Sequence, residues 1–577
     1  MTASISYINL SWAVVGIIDK DVHNSLQSMK RPNEPIEVTI ERYVIGYLVF
    51  WHIAYIDKEK MNRCDDEKVI ELGRKKMKEY VTSHPPVATL PKFYIVFLNQ
   101  ATHQLDILTN RFGGRPIGSD AYENAAEWMV HEYKKWGLDA QLEEAGELSV
   151  GFNRGPWFGK LLSHDHGMTL HFATPSYTSG TKGVQRGHVL MEPRTDQEFE
   201  RIKLKLKGAW VLISGTNNGW PIDRTAQADS IRQAIKQENK EIDQKNAELR
   251  KRNWEKGENN KMIPYKEFPA LYYHEMVEAG ALGFIQSSEV PIRALYDRKM
   301  IDSMTFDNLP EVPDIKLDRH QFDIIAQMVK ERREDFLLEF DIRNHFKLGP
   351  IKYHNVVASI RGSKYPDEQV IVCGHLDAFD TGTGGIDCGT GIAPMMEAAR
   401  MLALSGAKPK RTILFIAFAG EEFGLLGSKA YCKKHQQELP KIVNVFNRDG
   451  GPEPPVGIAV SQAMYDDFVK ITQPIQKIRA DIPFKVTVRP PRKQPKVAGG
   501  TDSEVFATYG VPTYGFTTKD VKGYNFNYGE IWHTERDLFT KNIPEYLEHT
   551  ATVTAITALG VANLDKPLPR EGVYEEN

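Results

Sequence analysis

The chain has few cysteines, little excess charge and no long apolar run, and these are the features that mark several protein classes. Its 577 residues include only four cysteines, Cys64, Cys373, Cys388 and Cys432, whose spacing gives neither a CxxC pair nor a disulfide framework. Basic and acidic residues nearly balance, 73 against 76, so no nucleic-acid partner is predicted. The longest apolar stretch, residues 43–56, is short for a membrane span of roughly 20 residues. It favours a buried helix or strand pair.

The N-terminal segment, residues 1–100, carries no motif that indicates a function. Ser11 to Ile18 is apolar but lacks the basic region that precedes the apolar part of a signal peptide. Thr82 to Pro91 is rich in proline and typical of a linker.

Beyond residue 350, three short apolar runs are each followed at once by polar side chains. The runs and the residues that follow them are 369–374 with His375, 412–419 with Glu421 and Glu422, and 442–446 with Asp449. Such runs are typical of buried strands, and an open α/β sheet builds its active site at the carboxyl ends of its strands. We therefore expect these side chains to meet at one edge of a sheet.

Five residues have the chemistry of metal ligands: His375, Asp387, Glu422, Asp449 and His533. Each has an ordinary structural explanation when taken alone, because an acid favours a helix start and a single histidine is more often a surface or core residue. Together, two imidazoles and three carboxylates suit zinc or a similar cation. Five ligands are too many for one catalytic zinc with an open position, so two metals are predicted.

In this order, the residues resemble the ligand series of the M28 family of co-catalytic zinc peptidases. The similarity covers about residues 105–565 and is greatest to the plasma glutamate carboxypeptidase-like branch, which has an inserted protease-associated domain. The matching segments are Gly374-His375-Leu376-Asp377, Asp387, Glu421-Glu422, Asp449, Gly500 to Phe506, Gly510-Val511-Pro512 and Trp532-His533-Thr534.

The resemblance implies two Zn²⁺ ions per chain. His375 and Asp449 would hold one ion, Glu422 and His533 the other, and Asp387 would bridge them. Such a pair acidifies water and stabilises the oxyanion of an attacked carbonyl.

The resemblance also implies roles for residues beside the ligands. Glu421 resembles the general base, which takes a proton from the metal-bridging water and passes it to the leaving amine. Asp377 would orient the imidazole of His375 from behind, or form a turn. Asp537 would act similarly on His533 or cap a helix.

The chain departs from the family pattern next to two ligands. Trp532 occupies the position where many relatives have a tyrosine, which leaves Tyr514, Tyr524 and Tyr528 as candidate donors to an oxyanion. Cys388 follows Asp387 where relatives more often have Asp or Asn, and no base partner indicates a nucleophilic role for it.

A basic stretch, together with an arginine beside Asp449, offers cations that could bind a substrate carboxylate. The candidates are Arg448, Arg489, Arg492 and Lys493, because an arginine fork suits a carboxylate. Solvated surface is the alternative for at least half of them.

The predicted fold class is α/β, with a mixed, mostly parallel sheet flanked by helices and an inserted β-rich protease-associated domain. The charged helical insertion is typical of a solvated helix, since its apolar positions are sparse for a coiled coil. The predicted segments are an N-terminal segment of unknown role (1–100), the first part of the peptidase domain (101–150), the protease-associated domain (151–345) with a charged helical insertion (226–262), the second part of the peptidase domain (346–565) and a C-terminal tail (566–577).

The sequence therefore predicts a zinc-dependent exopeptidase that acts as an aminopeptidase, or as a dipeptidase or carboxypeptidase. The alternatives are a non-peptidase member of the fold, either a glutaminyl cyclase-like enzyme or a receptor or binding module. The expected partner is a peptide substrate, and a homodimer is compatible with the resemblance. The resemblance also implies export to the periplasm or the extracellular space, although no clear signal peptide is present.

Overall fold

The computed structural model describes residues 100–163 and 167–575, and the structural statements below concern these residues. The predictions for residues 1–99, including the apolar stretch 43–56, lie outside them. None of the described helices combines the length and the apolar character that crossing a membrane requires.

Helices and strands alternate along most of the chain. A π-helical turn, Ile107–Phe112, continues the first helix directly. The helices are α1 (Ala101–Asp106), α2 (Asp120–Lys135), α3 (Asp196–Ile202), α4 (Ala226–Lys256), α5 (Tyr273–Glu278), α6 (Arg298–Asp302), α7 (Arg319–Lys330), α8 (Gly389–Leu404), α9 (Leu426–Lys434), α10 (Tyr465–Ile478), α11 (Asp502–Thr508) and α12 (Pro544–Ala562).

The strands form three sheets. They are β1 (Asp139–Asn153), β2 (Trp157–Ser163), β3 (Met168–Thr169), β4 (Phe172–Ala173), β5 (Gln185–Met191), β6 (Ala209–Asn217), β7 (Gly283–Ser288), β8 (Asp314–Asp318), β9 (Phe336–Ile342), β10 (His345–Ile360), β11 (Tyr365–His375), β12 (Arg411–Phe418), β13 (Ile442–Asn447), β14 (Pro455–Val460), β15 (Lys485–Val488) and β16 (Phe516–Thr518).

A five-stranded sheet in the order β1-β10-β12-β11-β13 forms the centre of the catalytic region. The central strand β11 is parallel to both β12 and β13, whereas β1 with β10 and β10 with β12 are antiparallel. Alternate residues of β11 point to opposite faces: Val370 and Val372 join one hydrophobic core, and Ile371 and Cys373 join another. The predicted mixed α/β fold is confirmed, and the parallel pairing is concentrated around β11.

Helices cover both faces of this sheet. Helices α8 and α12 pack on each other and on β11, and α9 packs against β12 and α11 on the other side. Helix α8 is almost entirely buried because it lies between the sheet and α12. Its amino end, at Gly389, lies two residues after the predicted ligand Asp387.

An eight-stranded sheet occupies residues 157–342, in the order β3-β2-β9-β5-β6-β7-β8-β4. It has a core of its own, in which the rings of Trp210 and Phe340 meet edge to face at 4.7 Å. These strands lie within the range predicted for the protease-associated domain, whose boundaries remain a prediction. A third sheet, β15-β14-β16, lies between α9 and α12 in the sequence.

The C-terminal tail packs against the rest of the chain. Leu568 and Val573 are buried, and the backbone amide of Glu575 donates to the carbonyl of Arg492. Residues 566–575 therefore belong structurally to the region that precedes them.

Residues 226–268 form a long arm, made of α4 and a return segment that runs back along it. At 31 residues, α4 is about 46 Å long. It begins with Thr225, whose side chain accepts the amide of Ala228, and ends at Gly257 in the left-handed conformation. The sequence predicts a solvated helix, and the structure adds an extended return segment that is hydrogen-bonded along this helix.

An asparagine ladder joins the two halves of the arm. Asn239, Asn246 and Asn253 lie seven residues apart on α4, and each amide pairs with both the N–H and the C=O of one return-segment residue: Lys266, Ile263 and Asn260, respectively. Seven helical residues advance about 10.5 Å, and three extended residues about 10 Å. The two repeats match, so every rung has the same geometry.

Replacing Asn246 by Ala should loosen the return segment without unfolding the protein. Asn246 is buried, and its loss leaves the N–H and C=O of Ile263 without their partner. Amide exchange and proteolytic cleavage within residues 257–268 should therefore accelerate, while the main thermal transition stays unchanged. Asn259→Ala, at an exposed position of the same arm, is the control. Equal cleavage rates in both variants would contradict the ladder.

Candidate active site

The carboxyl ends of three neighbouring strands bring the predicted ligands to one edge of the central sheet. In the register, His375 at the end of β11 lies opposite Phe418 of β12, and Cys373 lies opposite Asn447 of β13. Glu421, Glu422 and Asp449 follow within a few residues of these positions. The expectation from the three apolar runs is therefore met by the topology.

His375 is buried, and its two ring nitrogens have different surroundings. Nδ1 lies 2.9 Å from the backbone carbonyl of Asp377, which fixes Nδ1 as the donor. Nε2 lies 3.2 Å from Oδ1 of Asp387 and 3.5 Å from Oδ1 of Asp449. The Nε2 lone pair is thus directed at two carboxylates and is available to a cation between them.

His533 approaches from the opposite side. Its Nε2 lies 3.0 Å from Oε2 of Glu422 and 3.4 Å from Oδ2 of Asp387. Its backbone is left-handed, with φ of 59°, and its ring lies against those of Phe379 and Trp532 at centroid distances of 4.5 and 3.9 Å. Trp532, which replaces the expected tyrosine, therefore stacks on the imidazole.

Asp387 lies between the two halves of the cluster. Its Oδ1 faces His375 and its Oδ2 faces His533, so a single carboxylate is shared by both histidines. Ligand atoms of His375, Asp387 and Glu422 all lie within 4.8 Å of one another, and those of His375, Cys388 and Asp449 do the same. Each of these two groups has ligand atoms close enough together to hold a cation, and His375 belongs to both.

The carboxylate of Asp377 has a different contact from the one predicted. It lies 3.7 Å from Nδ1 of His375, whereas its two oxygens accept the backbone amides of Glu421 and Glu422 at 3.0 and 3.1 Å. The histidine is oriented by the carbonyl of Asp377 instead. The carboxylate fixes the loop that carries the acidic pair.

This loop is not the start of a helix. The helix that follows the loop begins only at Leu426, because Gly420 and Leu425 adopt positive φ values of 62° and 63°. The buried amide of Asn355 holds both ends of the loop, accepting from the N–H of Ala419 and donating to the carbonyl of Gly427. Glu421 and Glu422 are therefore presented on a turn between β12 and α9.

The cluster carries more negative charge than its buried setting tolerates. Burial, followed by the neighbouring carboxylates, raises the pKa of Glu421 to about 10, and burial together with Asp387 raises the pKa of Glu422 to about 7. Burial would lower the pKa of His533, but Glu422 and Asp387 raise it to about 9. This arrangement of buried carboxylates therefore favours a cation among them.

The residues fit divalent cations. Glu422 Oε1 is buried and has no hydrogen-bond partner, although Oε2 faces His533. A bound cation would satisfy that oxygen and offset the carboxylate charge, and mixed imidazole and carboxylate ligands suit zinc. Cys388 is less suited to bind a cation than the carboxylates beside it. Its thiol donates a hydrogen bond to the carbonyl of Arg448, and burial raises its pKa to about 11.

Asp537 has neither of the two predicted roles. Its Oδ1 accepts the backbone amide of Ile386 at 2.6 Å, and the amide of Asp387 lies 3.4 Å away. Burial and the charge of Asp387 raise its pKa to about 8. Asp537 thus positions the backbone on which the shared carboxylate of Asp387 is carried.

Arg115 was not identified from the sequence as part of the site. It is fully buried, and burial lowers its pKa to about 10. Its guanidinium donates to five backbone carbonyls, those of Leu108, Gly113, Leu376, Thr383 and Gly384. The motif Gly113-Gly114-Arg115-Pro116 could have indicated this role, because a cation next to glycines can pack closely against backbone carbonyls. Arg115 ties the start of the catalytic region to the loop between His375 and Asp387.

The arginines predicted to bind substrate have partners within the protein. Arg448 Nη2 donates to the carbonyls of Gly451 and Glu453 at 2.6 and 2.7 Å. Arg492 pairs with Glu504 at 3.2 Å, and its guanidinium lies over the ring of Tyr574. Neither guanidinium is directed at the ligand cluster by these contacts.

Of the three candidate tyrosines, Tyr528 lies within electrostatic reach of the cluster. Burial, then the charges of Asp387 and Asp449, raise its pKa strongly. Tyr514 is buried elsewhere, and its hydroxyl accepts the amide of Ser461 at 3.2 Å. Tyr524 is exposed and donates to Glu545.

Tyr296 is a second residue near the site that was not identified from the sequence. This residue comes from the segment between β7 and β8, yet its ring stacks on Phe423 at 3.9 Å, next to the acidic loop. It is buried, its hydroxyl has no hydrogen-bond partner among the residues that the structure describes, and burial followed by the charge of Glu422 raises its pKa well above the usual value. Its sequence surroundings carry no motif that could have indicated this position.

Comparison with known proteins places this constellation in a family. Residues 355–558, which contain all five predicted ligands, match the profile of peptidase family M28. This part of the chain is therefore similar to members of that family.

Individual relatives are more distant. Rat carboxypeptidase Q is 28% identical over 324 residues, which cover 53% of this chain and 63% of that protein, and human carboxypeptidase Q is 25% identical over 328 residues, which cover 54% and 64%. The match thus spans less than two thirds of these relatives.

Solved structures of low identity cover a larger share of the chain. The peptidase M28 precursor from Shewanella amazonensis SB2B is 21% identical, with a TM-score of 0.49, over 82% of this chain and 96% of that one. BSAP, a zinc aminopeptidase from Bacillus subtilis, is 16% identical, with a TM-score of 0.47, over 82% and 97%.

Replacing Arg115 by Met should destabilise the protein by roughly 3 kcal/mol or more, because several buried carbonyls lose their donor at once. The decrease should appear as a lower thermal unfolding midpoint in calorimetry. Arg111→Met, at an exposed position four residues away, should leave the midpoint unchanged. Similar midpoints for both variants would show that Arg115 does not hold the site together.

Proposed function

We propose that this protein is a zinc-dependent exopeptidase with two zinc ions per chain. His375 and Asp449 would hold one ion and Glu422 and His533 the other, with the Asp387 carboxylate shared between the two pairs. The observation that carries the proposal is the division of the Asp387 carboxylate, whose two oxygens face the two histidines at 3.2 and 3.4 Å. A single-metal site would not need a carboxylate shared in this way.

When bound, the two ions supply Lewis-acid activation of water and of the scissile carbonyl. Glu421 accepts the proton that the attacking water loses, and it delivers this proton to the nitrogen of the leaving amine as the C–N bond breaks. Its side chain makes no hydrogen bond or ion pair with any described residue, while its backbone amide is fixed by Asp377. The carboxylate is thus held in place and free to transfer protons.

The raised pKa of Glu421 is consistent with this role. Without cations, burial and neighbouring carboxylates hold it at about 10. Once positive charge compensates those carboxylates, the pKa falls, and a base of intermediate strength results. Glu422, one residue further, faces His533 and acts as a ligand.

Tyr528 is proposed to donate a hydrogen bond to the oxyanion that develops on the attacked carbonyl. Its phenol lies close enough to Asp387 and Asp449 for their charges to raise its pKa, so it keeps its proton throughout the working pH range. This assignment moves the phenolic donor away from the position that Trp532 occupies.

Glu421→Gln and Glu422→Gln should separate the two neighbouring roles. The Glu421 variant should retain two zinc ions per chain by elemental analysis and lose kcat roughly 10²-fold or more, because the general base is gone. The Glu422 variant should lose zinc. Glu334→Gln, at an exposed position, is the control for the charge change. Equal loss of zinc from both site variants, or one zinc ion per unmodified chain, would contradict the assignment.

A set of blocked peptides tests the exopeptidase activity itself. The zinc-loaded enzyme should hydrolyse unblocked dipeptides and leave peptides blocked at both ends intact. N-acetylation should abolish hydrolysis if the free amine is recognised, and C-amidation should do so if the free carboxylate is recognised. Cleavage of doubly blocked peptides would indicate an endopeptidase. Cyclisation of N-terminal glutamine without hydrolysis would indicate a cyclase.

A further inference from the structure

The arm formed by residues 226–268 takes no part in the proposed reaction. Its base is fixed to the inserted region: Arg232 donates to the carbonyls of Ala270 and Asp223, and Lys236 pairs with Glu275. Beyond Asn246, the side-chain hydrogen bonds that α4 makes with described residues outside the helix are those with the return segment. The asparagine ladder therefore stiffens a structure whose far end has no partner within the described chain.

The arm tip, residues 245–263, is cationic. It carries six lysine and arginine residues against three glutamates, although the whole chain has a net charge of −3. Arg252, Lys256 and Lys261 are exposed and make no ion pair with any described residue. Concentrated unpaired cations at the end of a stiff projection attract an anionic surface.

The arm tip also exposes apolar side chains. Trp254 is 90% exposed, whereas the next most exposed tryptophan of the described chain, Trp220, is 51% exposed. Met262 and Ile263 are exposed on the adjoining return segment. Leaving an indole in water is unfavourable, so its position beside free cations calls for a partner that accepts both.

The anionic surface of a lipid bilayer accepts both groups. Tryptophan favours the interfacial layer of a membrane, and lysine and arginine are attracted by acidic headgroups. A nucleic-acid backbone fits less well, because it offers no apolar layer to Met262 and Ile263. We propose that the arm tip docks this protein on membranes that carry anionic lipids, with Trp254 inserted at the headgroup level.

Sedimentation of the full-length protein with vesicles tests the proposal. Unmodified protein should bind vesicles of phosphatidylcholine and phosphatidylserine in equal parts and should not bind vesicles of phosphatidylcholine alone. Added salt should weaken binding, since screening shortens the reach of surface charge. Failure to bind the acidic vesicles at low salt overturns the proposal. Binding of duplex DNA in place of the vesicles overturns it as well and indicates a nucleic-acid partner.

Two matched pairs of variants locate the contact. Trp254→Ala should weaken vesicle binding, whereas Trp220→Ala should not. Charge reversal of Arg252, Lys256 and Lys261 to Glu should weaken it roughly tenfold or more, as expected for three surface cations. The same reversal of three other exposed cations, Lys203, Lys205 and Lys207, should have little effect.

Peptidase activity should remain unchanged in all four variants, because none of these residues belongs to the proposed site. Equal loss of vesicle binding in both charge-reversed proteins would show that net charge alone governs the association, which overturns a docking role for the arm tip. A blue shift of the tryptophan emission on vesicle binding that is absent from Trp254→Ala would support insertion of this indole.

Discussion

The concentration of buried negative charge around Asp387 is the constraint on which the rest of the site depends. Asp387, Glu422 and Asp449 lie around two histidines with little water to solvate them. Ionised carboxylates so close together are unfavourable unless positive charge compensates them. Burial and the neighbouring carboxylates raise the pKa of Glu421, and Glu422 and Asp387 raise the pKa of His533 against the effect of burial.

The loops that carry the ligands are held chiefly by buried polar side chains that satisfy backbone groups. Asp377 accepts two amides of the acidic loop, Asn355 joins its two ends, and Asp537 accepts an amide next to Asp387. Arg115 does the converse and donates to carbonyls. A loop leaves more of its backbone groups without backbone partners than a helix or a sheet does, so these side chains supply the remaining partners and fix the ligand geometry.

The ligand cluster and the central sheet were accessible from the sequence, because a buried strand such as 369–374 leaves a clear apolar run and His375 follows it directly. The contacts that support the ligands could not be predicted from the sequence. The pairing of Asp377 with two amides, and the arrival of Tyr296 from a segment more than a hundred residues from Glu422, depend on tertiary structure that no local pattern encodes. Arg492 shows the opposite case, since its chemistry suited a substrate carboxylate but Glu504 and Tyr574 engage it.

The matched repeats of the arm restrict how its length can change over evolutionary time. Each rung uses seven residues of α4 and three of the return segment, as between Asn246 with Ile263 and Asn253 with Asn260. Inserting one residue into either half shifts every later rung out of register. A longer or shorter arm that keeps its ladder therefore requires the coupled gain or loss of ten residues, divided unequally between its two halves. Relatives with an intact ladder should differ in arm length by whole rungs.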